Sequence, residues 1–284
     1  MAYRPLIGGQ FGAPFPLQFP DALVSVNSLS STPVHQLSND GEDSIVSHGS
    51  GFLWRHAGTI FLVSARHVIT GRDPFLNQLM SPTGFIPRRF QIFPAIEVDQ
   101  GQFVRSDVVL EIDPDGERSW AEDPEFSALR TDIAAIPIPF DHNYNVICLN
   151  DAPDNFDNLL TNVGFDCSIL GYPHPSPGGL MTPVWRRGAF ASEPLLPVDN
   201  KPMFLVDALT SPGFSGAAVF RTHVGPAPVP TPDGTIRVMI DRILTRSFVG
   251  VYAGRLQHRH FGGEVPFVFY GNRIPIIMDH YSRV

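Results

Sequence analysis

The sequence predicts an all-β chain of barrel or sandwich type, and three observations carry that expectation. Twenty-eight prolines and 25 glycines are spread over 284 residues, which suits short strands joined by shaped turns and not long helices. Twenty-two phenylalanines add bulk of the kind that strands pack well. Short apolar runs recur between turn residues at about the spacing of a barrel or sandwich.

Element by element, residues 1–45 are rich in Pro, Ser and Asn and read as an extended arm with one strand near Ala22–Val26. From Ser47 the texture changes. Gly51-Phe52-Leu53-Trp54, a turn at Arg55–Gly58 and Thr59-Ile60-Phe61-Leu62-Val63 read as a β-hairpin that feeds a short segment, Ser64–Ile69. Further strands are expected at Arg89–Phe93, Phe103–Ile112, Ile133–Ile138, Cys167–Leu170, Met203–Val206, Ala217–Phe220, Ile236–Ile240, Phe248–Tyr252 and Pro266–Tyr270. Residues 113–130 are acidic and turn-rich, a surface loop with a helical turn. The Pro-rich stretch 222–235 reads as a long hairpin tip, and Ile274–His280 as a short closing helix.

Composition excludes several classes. Apolar residues make up 43% and charged ones 17%, a globular balance and not that of a disordered chain. The net charge of −8 and the lack of a Lys/Arg run argue against nucleic acid as a partner. No stretch approaches the roughly 18 apolar residues of a membrane-spanning helix, so no membrane partner is expected. The N-terminus lacks the pattern of a secretory signal. With Cys148 and Cys167 the only cysteines, a reducing cytoplasm is the default location. Both thiols are expected to pack in cores, although one disulfide between them stays open. His258-Arg259-His260 has the alternation of a strand face but no nearby Cys or carboxylate, so neither a metal nor another cofactor is expected.

Three residues have the local context of serine nucleophilic catalysis, which needs a nucleophile, a base, an orienting group and donors for the oxyanion. Ser215 lies in Pro212-Gly213-Phe214-Ser215-Gly216, ahead of the apolar run Ala217–Phe220. A tight turn there would aim the N–H groups of Gly213 and Ser215 at one point. His67 follows directly on the strand Thr59–Val63. Asp132 opens the apolar run Ile133–Ile138, where a carboxylate is costly unless paired, and a histidine N–H is a suitable partner.

In the order His67, Asp132, Ser215 and in the sequences around them, the chain resembles the trypsin-like (chymotrypsin-fold) serine peptidases, especially the bacterial HtrA/DegP-related branch. Gly49-Ser50-Gly51-Phe52 and Leu62–Val68 are similar to that family's Gly-Ser-Gly hairpin and Ala-x-His segment. Thr131–Ile136 resembles its Asp-Ile-Ala strand, Gly171-Tyr172-Pro173 its Gly-Tyr-Pro turn, and Phe248-Val249-Gly250-Val251 the glycine-centred strand after the serine. The resemblance spans about residues 45–280. It implies two antiparallel six-stranded β-barrels: an arm at 1–45, a first barrel at 46–155 carrying His67 and Asp132, and a second at 156–284 carrying Ser215. It further implies Ser215 as nucleophile, His67 as general base and acid, Asp132 as orienting carboxylate, and the Gly213 and Ser215 N–H groups as oxyanion hole. The substrate would be a protein or peptide.

The chain also departs from the family. Phe214 stands where secreted members carry an aspartate that pairs with a newly cut N-terminus, and Pro5 would obstruct cleavage after Arg4 ahead of Leu6-Ile7-Gly8-Gly9. Activation without N-terminal processing is therefore expected. Only 69 residues follow Ser215, so the PDZ domain of HtrA members has no room after the barrel. Regulation then falls to residues 1–45 or to a partner chain. Leu209, six residues before the serine, falls at the family's pocket base and argues against Lys or Arg as the preferred side chain. Ala253, Gly254 and Arg255 would line the pocket wall, giving a small or apolar preference, with Arg255 offering an alternative preference for acidic side chains. Two other functions share these residues: a catalytically silent or conditionally activated binding or sensor protein, and an esterase. The β-like run after Ser215 counts against the esterase, whose fold would place a helix there.

Overall fold

A computed structural model describes residues 24–99, 102–112, 119–140, 144–152, 155, 158–173, 181–240, 244–258 and 263–282. Leu6–Gly9, residues 113–118 of the acidic stretch 113–130, and Arg259 and His260 lie outside the described residues. So do Ala22 and Leu23 of the strand expected near Ala22–Val26; Val26 instead opens a short helix, α1 (Val26–Ser30).

The first half supplies strands β1 (Ser31–Leu37), β2 (Ile45–His56), β3 (Thr59–Ser64), β4 (Arg89–Ile92), β5 (Ala95–Asp99), β6 (Gln102–Arg105), β7 (Val108–Glu111), β8 (Ala121–Glu122), β9 (Ala134–Ile138) and β10 (Asn145–Val146), with short helices α2 (Arg66–Thr70) and α3 (Phe126–Leu129). The second half holds β11 (Asp166–Gly171), β12 (Val184–Phe190), β13 (Met203–Ala208), β14 (Ala218–Val224), β15 (Ala227–Pro230), β16 (Ile236–Met239), β17 (Leu244–His258) and β18 (Gly263–Tyr270), closed by helix α4 (Arg273–Ser282). The chain is mostly β, as expected.

The second half forms a closed six-stranded barrel in the order β11-β12-β13-β18-β17-β14. The first half is a seven-stranded sheet, β7-β4-β1-β2-β3-β9-β8, beside a three-stranded sheet, β10-β5-β6, and among the described residues it does not close into a second barrel. Part of the expected arm is not an arm: β1 lies inside the seven-stranded sheet, paired with β2 and β4. Its residues Thr32 and His35 hid it, because a strand read by apolar alternation needs more contrast than STPVHQL offers.

The run Phe103–Ile112 is likewise not one strand. It breaks at Ser106–Asp107, and its halves join different sheets. At the break the Ser106 N–H donates to the Pro94 carbonyl at 3.0 Å, and the side chains on either side of it bond elsewhere. Arg105 reaches inward to the carbonyls of Ser28, Ser31 and Phe93, each at 2.8 Å. Asp107 accepts from the Gln91 amide at 3.0 and 3.1 Å.

Continuous apolar runs mark strands covered on both faces. In β3, Ile60 and Leu62 enter the core of the first half, while Phe61 and Val63 enter a core shared by both halves. In β14, Ala218 and Phe220 face the same shared core, whereas Val219 faces the barrel interior with Phe190, Phe204 and Phe214. Helix α4 adds Ile274, Ile277 and Met278 to the shared core, the spacing that puts three side chains on one helical face. The halves are therefore joined by a continuous apolar layer, with β3 and β14 presenting their ends at its rim. Those ends carry His67 and Ser215.

Cys148 and Cys167 are both free and buried, as expected of core thiols. Burial pushes each up to about 12, so neither is an ionised nucleophile near neutral pH. No helix among the described residues is long and apolar enough to cross a membrane.

Candidate active site

His67 is the second residue of α2, a single helical turn that begins as soon as β3 ends. Ala65 supplies the carbonyl that accepts the N–H groups of Val68 and Ile69 at 3.1 and 3.3 Å. Arg66 anchors the turn from beside the histidine. Its guanidinium lies 3.8 Å from the centre of the Phe126 ring and its Nε donates to Glu122 at 2.6 Å.

Asp132 enters from the segment before β9 and is fully buried. Its Oδ1 accepts the His67 backbone N–H at 2.8 Å, and its Oδ2 meets His67 Nδ1 at 2.6 Å. A carboxylate can only accept, so Nδ1 carries the proton and Nε2 is left as the basic nitrogen. Burial alone would disfavour the imidazolium. The Asp132 charge and hydrogen bond, with the Asp73 charge behind them, outweigh it and raise the His67 pKa above its ordinary value.

Ser215 comes from the turn ahead of β14. Ser211 accepts the Phe214 N–H at 3.4 Å across Pro212 and Gly213, and Gly213 has φ +98°. Proline followed by a positive-φ glycine is the pattern of a type II turn. A Cβ on Gly213 would strike the Tyr172 carbonyl, and one on Gly216, at φ +89°, would strike the Ser50 carbonyl. Only glycine fits either place. Among the described residues, neither the Gly213 nor the Ser215 N–H donates to another group.

The two halves meet at this point. Ser50 of β2 donates its N–H to the Ser215 carbonyl at 2.8 Å. Gly49 is squeezed between that carbonyl and Val68, the neighbour of His67: a Cβ there would lie 3.1 Å from one and 2.9 Å from the other. The structure thus brings His67 and Asp132 into contact and sets Ser215 on the adjoining surface, partly exposed between buried neighbours. No hydrogen bond joins His67 to Ser215 among the described residues. Such a contact often forms only with substrate bound.

No family model matches the chain, and no curated protein matches it. Its site therefore has to be read from its own geometry.

The residues expected to line a pocket are less closely grouped. Leu209 is 79% exposed, so it stands in solvent and not at the base of an enclosed pocket. The turn next to it explains why: Thr210 is the buried residue, its Oγ1 2.7 Å from the Tyr252 hydroxyl. Ala253 is buried in the shared core beside Phe267. Gly254, at φ +147°, continues β17 past an irregularity. Arg255 pairs with Glu264 at 2.8 Å, so its charge has a counter-charge already.

Phe214 and Tyr172, read in the sequence only as parts of motifs, and Phe75, not singled out there, make contacts around the site. Phe214 is fully buried, its ring against Gly171 and 6.5 Å from that of Tyr252. Tyr172 donates its hydroxyl to the Ser31 carbonyl at 2.9 Å, and burial pushes the phenol up to about 12, keeping it a neutral donor. Phe75, in the loop after α2, packs 5.8 Å from Phe267 with the Lys201 ammonium 5.4 Å above it. These contacts bridge residues far apart in the chain, and local pattern carries no trace of them. Among the described residues no three His, Cys, Asp or Glu side chains cluster to hold a metal.

Proposed function

We propose that the protein is a trypsin-like serine endopeptidase that cleaves peptide bonds through an acyl-enzyme on Ser215. The observation that carries this reading is the buried Asp132 bound twice by His67, beside a turn whose serine and glycine leave two N–H groups unused. The first half then corresponds to an opened-out barrel and the second to a closed one, with the site between.

In this mechanism His67 Nε2 takes the Ser215 hydroxyl proton as Oγ bonds to the substrate carbonyl carbon. The carbonyl oxygen gains the negative charge and is met by the Gly213 and Ser215 N–H groups. His67 then gives the proton to the amide nitrogen, the C–N bond breaks and the amine leaves. Water repeats the sequence: its proton goes to His67, its oxygen bonds to the acyl carbon, and the proton returns to Ser215 as the acid departs. Asp132 stays ionised throughout, holding Nδ1–H and stabilising the imidazolium.

His67 must be neutral to act as base, and its pKa lies above the ordinary histidine value. Activity is therefore expected to rise with pH through an inflection above that value. Asp73→Asn removes one negative charge that favours the imidazolium, so the inflection should move to lower pH while KM holds. A pH profile of kcat/KM checks both; an inflection unmoved, or moved upward, would contradict the assignment.

The Arg255–Glu264 pair gives Arg255 a counter-charge already, which weighs against an acidic preference and in favour of cleavage after small or apolar side chains. Phe214, sealed in the barrel core, has no carboxylate to offer an N-terminal ammonium, so intact and N-terminally truncated protein should cleave equally well. Phe214→Asp would bury a carboxylate among aromatic rings and is expected to cost about 3–5 kcal/mol, read as a lower melting temperature.

The missing His67–Ser215 hydrogen bond favours a second reading, a binding or sensor protein that is silent until switched on. A fluorophosphonate probe separates the two. Labelling of Ser215, absent from Ser215→Ala, together with cleavage of a mixed peptide library, is the outcome expected of a peptidase. No labelling would favour the silent protein, and labelling without peptide cleavage would favour an esterase.

A further inference from the structure

Ser50 is fully buried at the start of the apolar part of β2, and four of its polar contacts run to the site's two halves. Its hydroxyl donates to the Gly213 carbonyl at 2.6 Å and accepts the Tyr172 N–H at 2.9 Å. Its own N–H donates to the Ser215 carbonyl at 2.8 Å, and its carbonyl accepts the Ser64 hydroxyl at 2.7 Å. Ser50 therefore grips the Gly213–Ser215 span at both ends, from the opposite half of the molecule.

That span needs a grip. It begins with Gly213 and is followed by Gly216, both at positive φ, and a glycine populates either sign of φ about equally. With such a hinge at each side, the segment bearing the two N–H donors would have alternative orientations of similar energy. Phe214 holds the span on its apolar side, by its ring. On the polar side the hydroxyl of Ser50 is the group that fixes the Gly213 carbonyl, its one O–H donated there while it accepts the Tyr172 N–H.

We propose that Ser50 is a positioning residue: its hydroxyl locks the Gly213–Ser215 span so that the two N–H groups converge on one point before any substrate arrives. Preorganised donors of this kind stabilise the transition state because nothing has to reorient as charge develops. The inference rests on the peptidase reading, and Ser50 acts through Gly213 and Ser215 without touching the substrate.

The test compares Ser50→Ala and Ser50→Cys with Ser64→Ala, which removes a neighbouring buried hydroxyl but leaves that of Ser50 in place. Ser50→Ala is expected to lower kcat by about 10–100-fold with KM nearly unchanged, and to weaken a peptide boronate by the same factor. Ser50→Cys, a weaker donor of similar shape, should fall between Ser50→Ala and the unmodified protein, and serves alone if Ser50→Ala does not fold. Amide hydrogen exchange at Phe214 and Gly216, whose N–H groups are bonded to Ser211 and Tyr252 on either side of Ser215, should quicken in both Ser50 variants and not in Ser64→Ala. Equal losses in Ser50→Ala and Ser64→Ala, or a loss in KM instead of kcat, would overturn the inference in favour of general packing. Unchanged exchange at both amides would overturn it whether or not the protein is a hydrolase. If the unmodified protein neither labels nor cleaves while exchange quickens in the Ser50 variants, the peptidase reading fails and the lock stands.

Discussion

Replacing His67 with alanine is expected to lower peptide turnover by about 10⁶-fold, and Ser215→Ala by a similar factor, with the double variant little worse than either. The two groups act as one unit, so their losses do not add. Asp132→Asn should cost about 10⁴-fold. An asparagine can still accept the His67 backbone N–H now held at 2.8 Å. In that orientation its NH₂ group faces Nδ1, at the place of the oxygen 2.6 Å away, and forces the ring toward the wrong tautomer. Single-turnover kinetics on a peptide ester and a peptide amide measure each loss. A His67→Ala variant within about tenfold of the unmodified protein would remove His67 from the reaction.

A large effect on stability is expected where helix α4 meets the loop after β8. Asp123, in the loop between β8 and α3, has no exposed side-chain surface, and Arg273 of α4 binds both its oxygens at 2.6 and 2.7 Å. Burial would raise the Asp123 carboxyl, but the Arg273 guanidinium and the Glu125 N–H together hold it below its ordinary value. A carboxylate with a depressed folded pKa contributes stability above its unfolded pKa and loses it as the pH falls through the folded one. Arg273→Ala leaves a buried charge unpaired and should cost about 3–5 kcal/mol at neutral pH. The gap between the two proteins should shrink in acid, where Asp123 is protonated in both. Urea unfolding at neutral and at acid pH reads this directly; a gap that widened in acid would assign the bond a different role.

How much of this was legible beforehand depended on the distance over which each feature is written. The hairpin Gly51–Val63, the strand after Ser215 and the closing helix were read from local alternation and spacing, and the structure has them as β2, β3, β14 and α4. His67, Asp132 and Ser215 stood out because each sits where a strand ends, and their residue types suit one chemistry. Strand β1 was missed because its buried side chains include Thr32 and Gln36, which a hydropathy pattern scores as polar. Leu209 was placed by counting back from Ser215, and counting takes no account of which way the turn points a side chain. Ser50 was seen as part of a Gly-Ser-Gly hairpin. Its partner Gly213 lies 163 residues on, and no local pattern reports a bond of that span.

That span also sets when the site can exist. The bonds that build it join residues 65 and 163 positions apart, and β1 at one end of the chain is tied by Ser31 to Tyr172 near the middle. Contacts so remote in sequence close late, since the entropy of the intervening loops is lost before they form. A growing chain released from the ribosome only as far as β13 holds His67 and Asp132 but neither the Ser215 turn nor the strand behind it. On the peptidase reading, the nascent protein would be inert toward its neighbours until β14 has emerged, a delay written into the order of its strands.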